Sequence, residues 1–148
     1  MPSKQPVVIP SVATDEDVES APIDPTWILD GKPEARARRL RLLDDSGLSA
    51  TLWQSNAGRF EWHYGSDELV NILDGEVEIT PPGGQPFTAR AGDVFFVPAG
   101  SVLQWNVRDH VKKLVVNPVQ IPTFRRLATR IPFARAAVRR LRGVLGRS

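Results

Sequence analysis

The sequence predicts an all-β, antiparallel fold, closed or double-sheeted, and three observations carry that expectation. Between Gly58 and Pro118, short segments rich in β-branched and aromatic residues alternate with turn signals, the mark of a sandwich or barrel. Asp74-Gly75 falls between two such segments; Asp-Gly is the strongest short hairpin signal, because both central residues of that turn need positive φ. No interval between the segments has room for a crossover helix, which excludes parallel pairing.

Taken in order, residues 1–24 are rich in Pro, Ser and acid and show no sustained period. They read as a flexible arm, or as an extended strand ordered by a neighbour. "ARARRLRLLDD" has the look of a short helix, but it runs into a Ser-Gly turn and then "LSATLWQ", which alternates; strands are favoured for both. The remaining strands are expected at 59–64, 67–73, 76–80, 86–90, 93–97, 102–108 and 111–117. Asp74-Gly75, Pro81-Pro82-Gly83-Gly84, Ala91-Gly92, Pro98-Ala99-Gly100 and an "RDH" turn ending at His110 separate them. Asp93 is expected to satisfy turn amides with its side chain. In the tail, Leu127, Ile131, Ala134, Val138, Leu141 and Leu145 fall on one helical face and Arg135, Arg139 and Arg142 on another. Pro132 marks a break or the first turn of a second helix. The division is an arm at 1–24, a β domain at 25–121 and a basic amphipathic helical tail at 122–148.

A chain of 148 residues is the size of one domain, with 41% hydrophobic and 24% charged residues as in ordinary globular proteins. It has no apolar run long enough for a membrane-spanning helix and no secretory pattern at its start. Cysteine is absent, which removes disulfides, thiolate ligands and thiol catalysis together; the expected location is cytoplasmic. The net charge of +2 hides a polarity: residues 1–24 hold one lysine and five acids, residues 122–148 eight arginines and no acid. The basic character belongs to the tail, so the β domain is not read as a nucleic-acid-binding surface. The tail has three readings: packing on the barrel or a dimer partner, lying on an anionic membrane surface, or contacting an acidic partner such as nucleic acid.

Two pieces of the chain have the spacing of the two cupin motifs. "GDVFFVPAGSVL" places Gly92, Pro98 and Gly100 in register with the second motif, and Glu68 to Gly75 fits the end of the first. Sixteen residues separate Gly75 from Gly92, close to the short spacing common in that superfamily. "LWQSNAGRFEW", "DELVNILDGEVEIT", "AGDVFFVPAGSVLQWNV" and "VKKLVV" resemble the subgroup that includes the ureidoglycine aminohydrolase cupin domain and the ethanolamine-utilisation cupins. The resemblance spans roughly residues 27–117. It implies a small jelly-roll β-barrel, usually a homodimer; fold alone does not carry activity.

A typical cupin metal is held by two histidines and a glutamate of the first motif and a histidine of the second. Carried over, the first-motif histidines fall on Trp62 and Tyr64, or with spacing one longer on Glu61 and His63; the second-motif histidine falls on Leu103. Glu68 matches either way. Alternation puts Phe60, Trp62 and Tyr64 on one face, expected to turn inward, and Glu61 and His63 on the other unless a bulge at His63-Tyr64-Gly65 re-aims them. The expectation is no usual metal site and no confident cofactor; the ligands left for a divalent metal are His63, Glu68 and Glu61.

Glu68 is read as a pocket acid with a pKa raised by burial, or as an exposed strand residue. Trp53, Trp62, Tyr64 and Trp105 are read as pocket walls or as core. Lys113, where the resembling subgroup often has a basic residue, is read as pairing with a cavity acid, although a solvated strand lysine is the commoner outcome. The first functional reading is a binding module for a small polar or carbonyl metabolite, with Trp62, Tyr64 and Trp105 as walls and Glu68, Gln104 and Lys113 fixing orientation. The second is a hydrolase, isomerase or lyase in which Glu68 acts as base and His63 as its partner, with or without a metal. The third is a structural or regulatory protein working through its dimer and tail.

Overall fold

The computed structural model describes residues 18–40 and 46–119, and the elements below lie in the compact unit Met1–Pro118. They are β1 Glu19–Ser20, β2 Ile28–Gly31, β3 Ala35–Arg39, β4 Leu48–His63, β5 Glu68–Thr80, β6 Phe87–Arg90, β7 Val94–Val97 and β8 Val102–Pro118. A 3-10 turn at Pro25–Trp27 precedes β2, and the Asp24 carboxylate caps it by accepting from the Thr26 N–H and hydroxyl. Every pairing among the described residues is antiparallel, as the short intervals required.

The expected closure into a barrel does not occur. The strands run β1-β3-β4-β8-β5-β6, with β2 also on β4 and β7 also on β5, so the path ends in free edges and the sheet is open. Closure needs an unbroken ladder around the ring, whereas the outermost strands have only two residues in β1 and four in β6 and in β7. Short edge strands such as these resist further pairing.

The sheet instead bends across its middle. Register breaks in β4 between Asn56 and Gly58, and in β5 between Ile72 and Asp74 and between Gly75 and Glu78. On β8, His110 pairs with Asn56 and Val107 with Gly58, so Arg108-Asp109 stand opposite Ala57 alone and β8 carries one extra residue. These breaks lie at one level, and bulges of this kind let strands turn from one layer into the next. The burial pattern records the bend. Trp53 and Ser55 are buried before it on β4, Phe60 and Tyr64 after it; on β5, Val70 and Ile72 give way to Val77 and Ile79. In both strands the inward set changes parity, which a one-residue slip of register produces. The two layers meet over a core in which Phe60, Val70, Ile72, Ile79, Trp105 and Val111 are fully enclosed, each contributing about 1.5–3 kcal/mol.

Several expected turns are therefore interruptions inside longer runs. Asp74-Gly75 lies within β5 and His110 within β8, so 67–73 and 76–80 are one strand, as are 102–108 and 111–117. "LSATLWQ" and 59–64 likewise merge into β4. Ala91-Gly92 separates β6 from β7, but both strands pair with β5, and the Gly92 N–H donates to the Ile72 carbonyl at 2.8 Å. Asp93 does hold its corner, accepting from the Arg90 N–H at 2.7 Å. Ala35–Arg39 is a strand. At the end of the arm, Val18 and Ile23 are buried and Glu19–Ser20 pair with Ala37 and Arg36. The rest of the arm and the helix expected over 122–148 lie outside the described residues. No helix among the described residues is long and apolar enough to cross a membrane.

Candidate functional site

The two layers are joined at one end by Tyr64–Asp67, between β4 and β5. Beside it runs Pro98–Ser101, between β7 and β8. Backbone bonds tie the two turns together: the Tyr64 N–H donates to the Ser101 carbonyl at 2.9 Å and the Gly100 N–H to the Tyr64 carbonyl at 2.8 Å. The Asp67 carboxylate accepts from the Ala99 N–H at 2.8 Å. The motif proline and glycine thus fix the end of the fold at which Tyr64 and Glu68 sit. Gly100, at φ +86°, supplies a backbone conformation that other residues adopt only with strain.

Inward from these turns the polar groups sit among aromatic rings. Lys113 shares the inward face of β8 with the buried Val111 and Val115 and is only 2% exposed, which overturns the solvated reading. Its ammonium lies 4.3 Å from the Trp105 ring centroid, 4.7 Å from that of Trp53 and 5.3 Å from that of Trp62, within cation–π range of all three. No carboxylate among the described residues lies within ion-pair distance of it. Burial brings its pKa down to about 8, against the opposing field of Glu68. Glu68 is displaced upward, by burial first, with Lys113 opposing; its Oε2 is buried without a hydrogen-bond partner. The Tyr64 hydroxyl accepts from the Trp105 indole N–H at 3.2 Å. Burial and the Glu68 charge hold that phenol protonated far above its ordinary range.

Aromatic rings pack against one another between the layers. Trp53 meets Phe60 and Trp62 edge-on, and Phe60 stacks on Trp105 at 6.2 Å. Trp62 and Glu68 remain half-buried, so the cluster meets solvent on their side. An apolar pocket of about 420 Å³ opens beside the Pro98–Ser101 turn, walled by Pro81, Phe87, Phe95, Val97 and Leu103. Phe95 links it to the buried cluster through ring contact with Trp105 at 6.3 Å.

Of the expected site residues, the structure gathers Trp62, Tyr64, Glu68, Trp105 and Lys113. Gln104 is not among them, because it alternates to the face opposite Leu103 and Trp105. Glu61 and His63 lie on the outer face, their side chains 46% and 45% exposed and 3.7 Å apart. His63 stacks on Trp27 at 4.7 Å, and no bulge turns it inward. The His63, Glu68 and Glu61 set is therefore split between two faces. The motif positions themselves hold two aromatic side chains and a leucine, which do not fit a metal. Among the described residues no group of three or more His, Cys, Asp or Glu side chains is placed to hold one. His110, expected in a turn far from the interior, is an exposed strand residue bridging Asp109 at 2.9 Å and Asp74 at 3.0 Å. The sequence reading missed the pocket walls Phe87, Phe95 and Val97. In "VFFV" both faces are apolar, so alternation gave no sign of which residues point in.

Residues 42–114 match the family described as the EutQ-like cupin domain. The chain is 36% identical over 73 residues to the acetate kinase EutQ of Escherichia coli (strain K12), a stretch covering 49% of this chain and 31% of that protein. It is 34% identical over 68 residues to the pyrimidine/purine nucleoside phosphorylase of Geotalea uraniireducens, covering 45% of this chain and 65% of that one. Among solved structures, the Clostridium difficile EutQ protein superimposes with a TM-score of 0.52 at 25% identity, covering 58% of this chain and 63% of that chain. The chain spans about a third of the length of the first of these curated relatives. The cupin glycines and proline lie at the turns that frame the buried cluster, and sequence and structural relatives point the same way: over residues 42–114 the chain is similar to the EutQ-like cupin domain.

Proposed function

We propose that this cupin domain binds a small polar or carbonyl metabolite at the Tyr64–Glu68–Lys113 cluster, without a metal. One observation carries the reading: Glu68 keeps a buried carboxylate oxygen without a partner, close enough to a buried lysine for each to shift the other. Folded proteins satisfy nearly all their buried polar atoms. An apolar site with a few convergent polar groups is the usual form of a small-molecule pocket. A ligand entering past Trp62 and Glu68 would give the orphan oxygen a hydrogen-bond partner, its carbonyl oxygen accepting from the protonated carboxyl that burial favours, and place its apolar part against the indole rings. The names of the relatives refer to acetate and to nucleosides, both small polar molecules; that class, and neither reaction, is what the reading takes from them.

Trp53, Trp62 and Trp105 make the site its own reporter. Intrinsic fluorescence titrated with a panel of small carboxylates, aldehydes and keto acids is expected to show saturable quenching. Glu68→Gln and Lys113→Met should weaken it at least tenfold. Identical titrations for wild type and both variants would refute the site. Elemental analysis tests the metal-free part of the reading. A stoichiometric metal abolished by Glu68→Ala or His63→Ala would overturn it.

The outer face of the β5–β7 end supports the homodimer that the family resemblance implies. Leu69 and Phe96 are a directly paired couple there, 45% and 61% exposed, with Leu73 and Val94 beside them. A contiguous apolar surface at a sheet edge marks an interaction site, and we assign a second copy of this chain to it.

A further inference from the structure

We propose that Lys113 is an imine-forming lysine, and that the ligand of the buried cluster is a small aldehyde or keto acid held covalently through its carbonyl carbon. The inference rests on the binding reading above and goes beyond it, from a pocket to a bond.

The argument begins with why a lysine stands at this position at all. The amine lies over three indole faces, and an apolar side chain of the same length would fill that box. A buried cation with no contact carboxylate among the described residues is worse for the fold than its apolar equivalent. What the box does provide is chemistry. Desolvation is one of the known ways to make a lysine amine nucleophilic. With a pKa of about 8, about a tenth of the amine is neutral at pH 7, against roughly one part in several thousand for an ordinary lysine. Glu68, from β5, is the titratable group whose field reaches the amine, and Tyr64, from the turn after β4, feels the charge of that same Glu68. Their roles follow from what each holds. Glu68, its carboxyl raised by burial, takes and returns a proton. Tyr64 accepts from Trp105 and keeps its own proton free to donate to a carbonyl oxygen.

The step balances without any other reactant. The Nζ lone pair forms a bond to the carbonyl carbon, and the π pair moves to the oxygen. A proton passes from nitrogen to that oxygen through Glu68, giving the carbinolamine. Loss of the hydroxyl with the Glu68 proton releases one water and leaves an iminium opposite the Glu68 carboxylate. The iminium cation then occupies the position over Trp53, Trp62 and Trp105 in which the ammonium began. An anion held only by charge would gain little here, since the surrounding rings present negative faces.

The test is reductive trapping on the full chain. Glyoxylate, pyruvate and propionaldehyde are each incubated with the protein, reduced with borohydride, and the product is mapped by mass spectrometry. The chain has four lysines, Lys4, Lys32, Lys112 and Lys113, so assignment is direct. The expected result is a single adduct, at least tenfold enriched on Lys113, its yield rising with pH around a midpoint near the amine's own, about 8. Lys113→Met removes it, and Glu68→Gln slows its formation at least tenfold while Lys113 remains the modified residue. Adducts spread evenly over the lysines, with tryptophan quenching intact, would overturn the imine and leave the binding site standing. Neither quenching nor adduct with any probe would overturn both.

Discussion

At the scale of single residues, Lys113 and Glu68 carry opposite signs of the same cost. The folded Lys113 pKa of about 8 lies below the ordinary lysine value of 10.5, so between those values the unfolded chain binds more protons. Stability therefore rises with pH through that window, and the lysine is most unfavourable below it. A displacement of this size corresponds to at most about 3 kcal/mol, reduced by cation–π attraction of about 0.5–2 kcal/mol. Lys113→Met is expected to stabilise the fold at pH 7 by on the order of 1 kcal/mol, measured by urea titration, with the gain vanishing towards pH 10. Loss of stability at pH 7 would mean that the ammonium is structural. Glu68 has its folded pKa raised, so its contribution is present below the unfolded value and is lost as pH rises through the folded one. Glu68→Gln should accordingly leave stability at neutral pH unchanged or higher while lowering ligand affinity. A pair that costs stability and is retained in an otherwise apolar interior fits a site in which function outweighs stability.

Among the elements, the bend across the sheet decides the fold, and two glycines separate its ingredients. Gly75 has φ +74°, and a Cβ there would run into the His110 carbonyl on β8. Gly92 has φ +95° with open space around it. Gly92→Ala should cost about 1–2 kcal/mol, the left-handed backbone penalty alone. Gly75→Ala should cost measurably more, about 2–4 kcal/mol, because β5 and β8 must also move apart. Equal losses in thermal unfolding would argue against close contact at the bend. His110 crosses the same line. Asp109 and then Asp74 raise its pKa, so the stability it contributes is present below its unfolded value and is lost as pH rises through the folded one. Because the ring is exposed, the effect is small; an NMR titration should place its midpoint above 6.5, and Asp74→Asn should lower it. The Asp-Gly signal in the sequence marked a positive φ at Gly75 alone, with none at Asp74 and no hairpin. Whether that φ closes a hairpin or bulges a strand depends on which strand lies alongside, and the partner, β8, comes from the other end of the domain.

For the whole molecule, the open sheet leaves an apolar outer face whose burial requires another surface. Phe96→Glu should convert a dimer to monomer in light scattering without loss of thermal stability beyond that of the lost interface. A wild-type monomer at all accessible concentrations would refute the homodimer. Much of the architecture was legible in the residues: antiparallel strands, the cupin glycine and proline positions, and the inward face of Phe60, Trp62 and Tyr64 all follow from local periodicity and turn chemistry. The unlikeness of Leu103 to a metal ligand was equally plain, since identity alone excludes coordination. Lys113 was half legible, because it is in phase with Val111 and Val115, yet a lysine's solvation preference argued the other way and lost to the register of β8. What only the tertiary structure decided was which edges meet, where strands bend, that Gln104 and His63 face away, and that an amine lies among three indoles. Each of these depends on contacts between residues far apart in the chain, whose spacing in sequence carries no information about their distance in space.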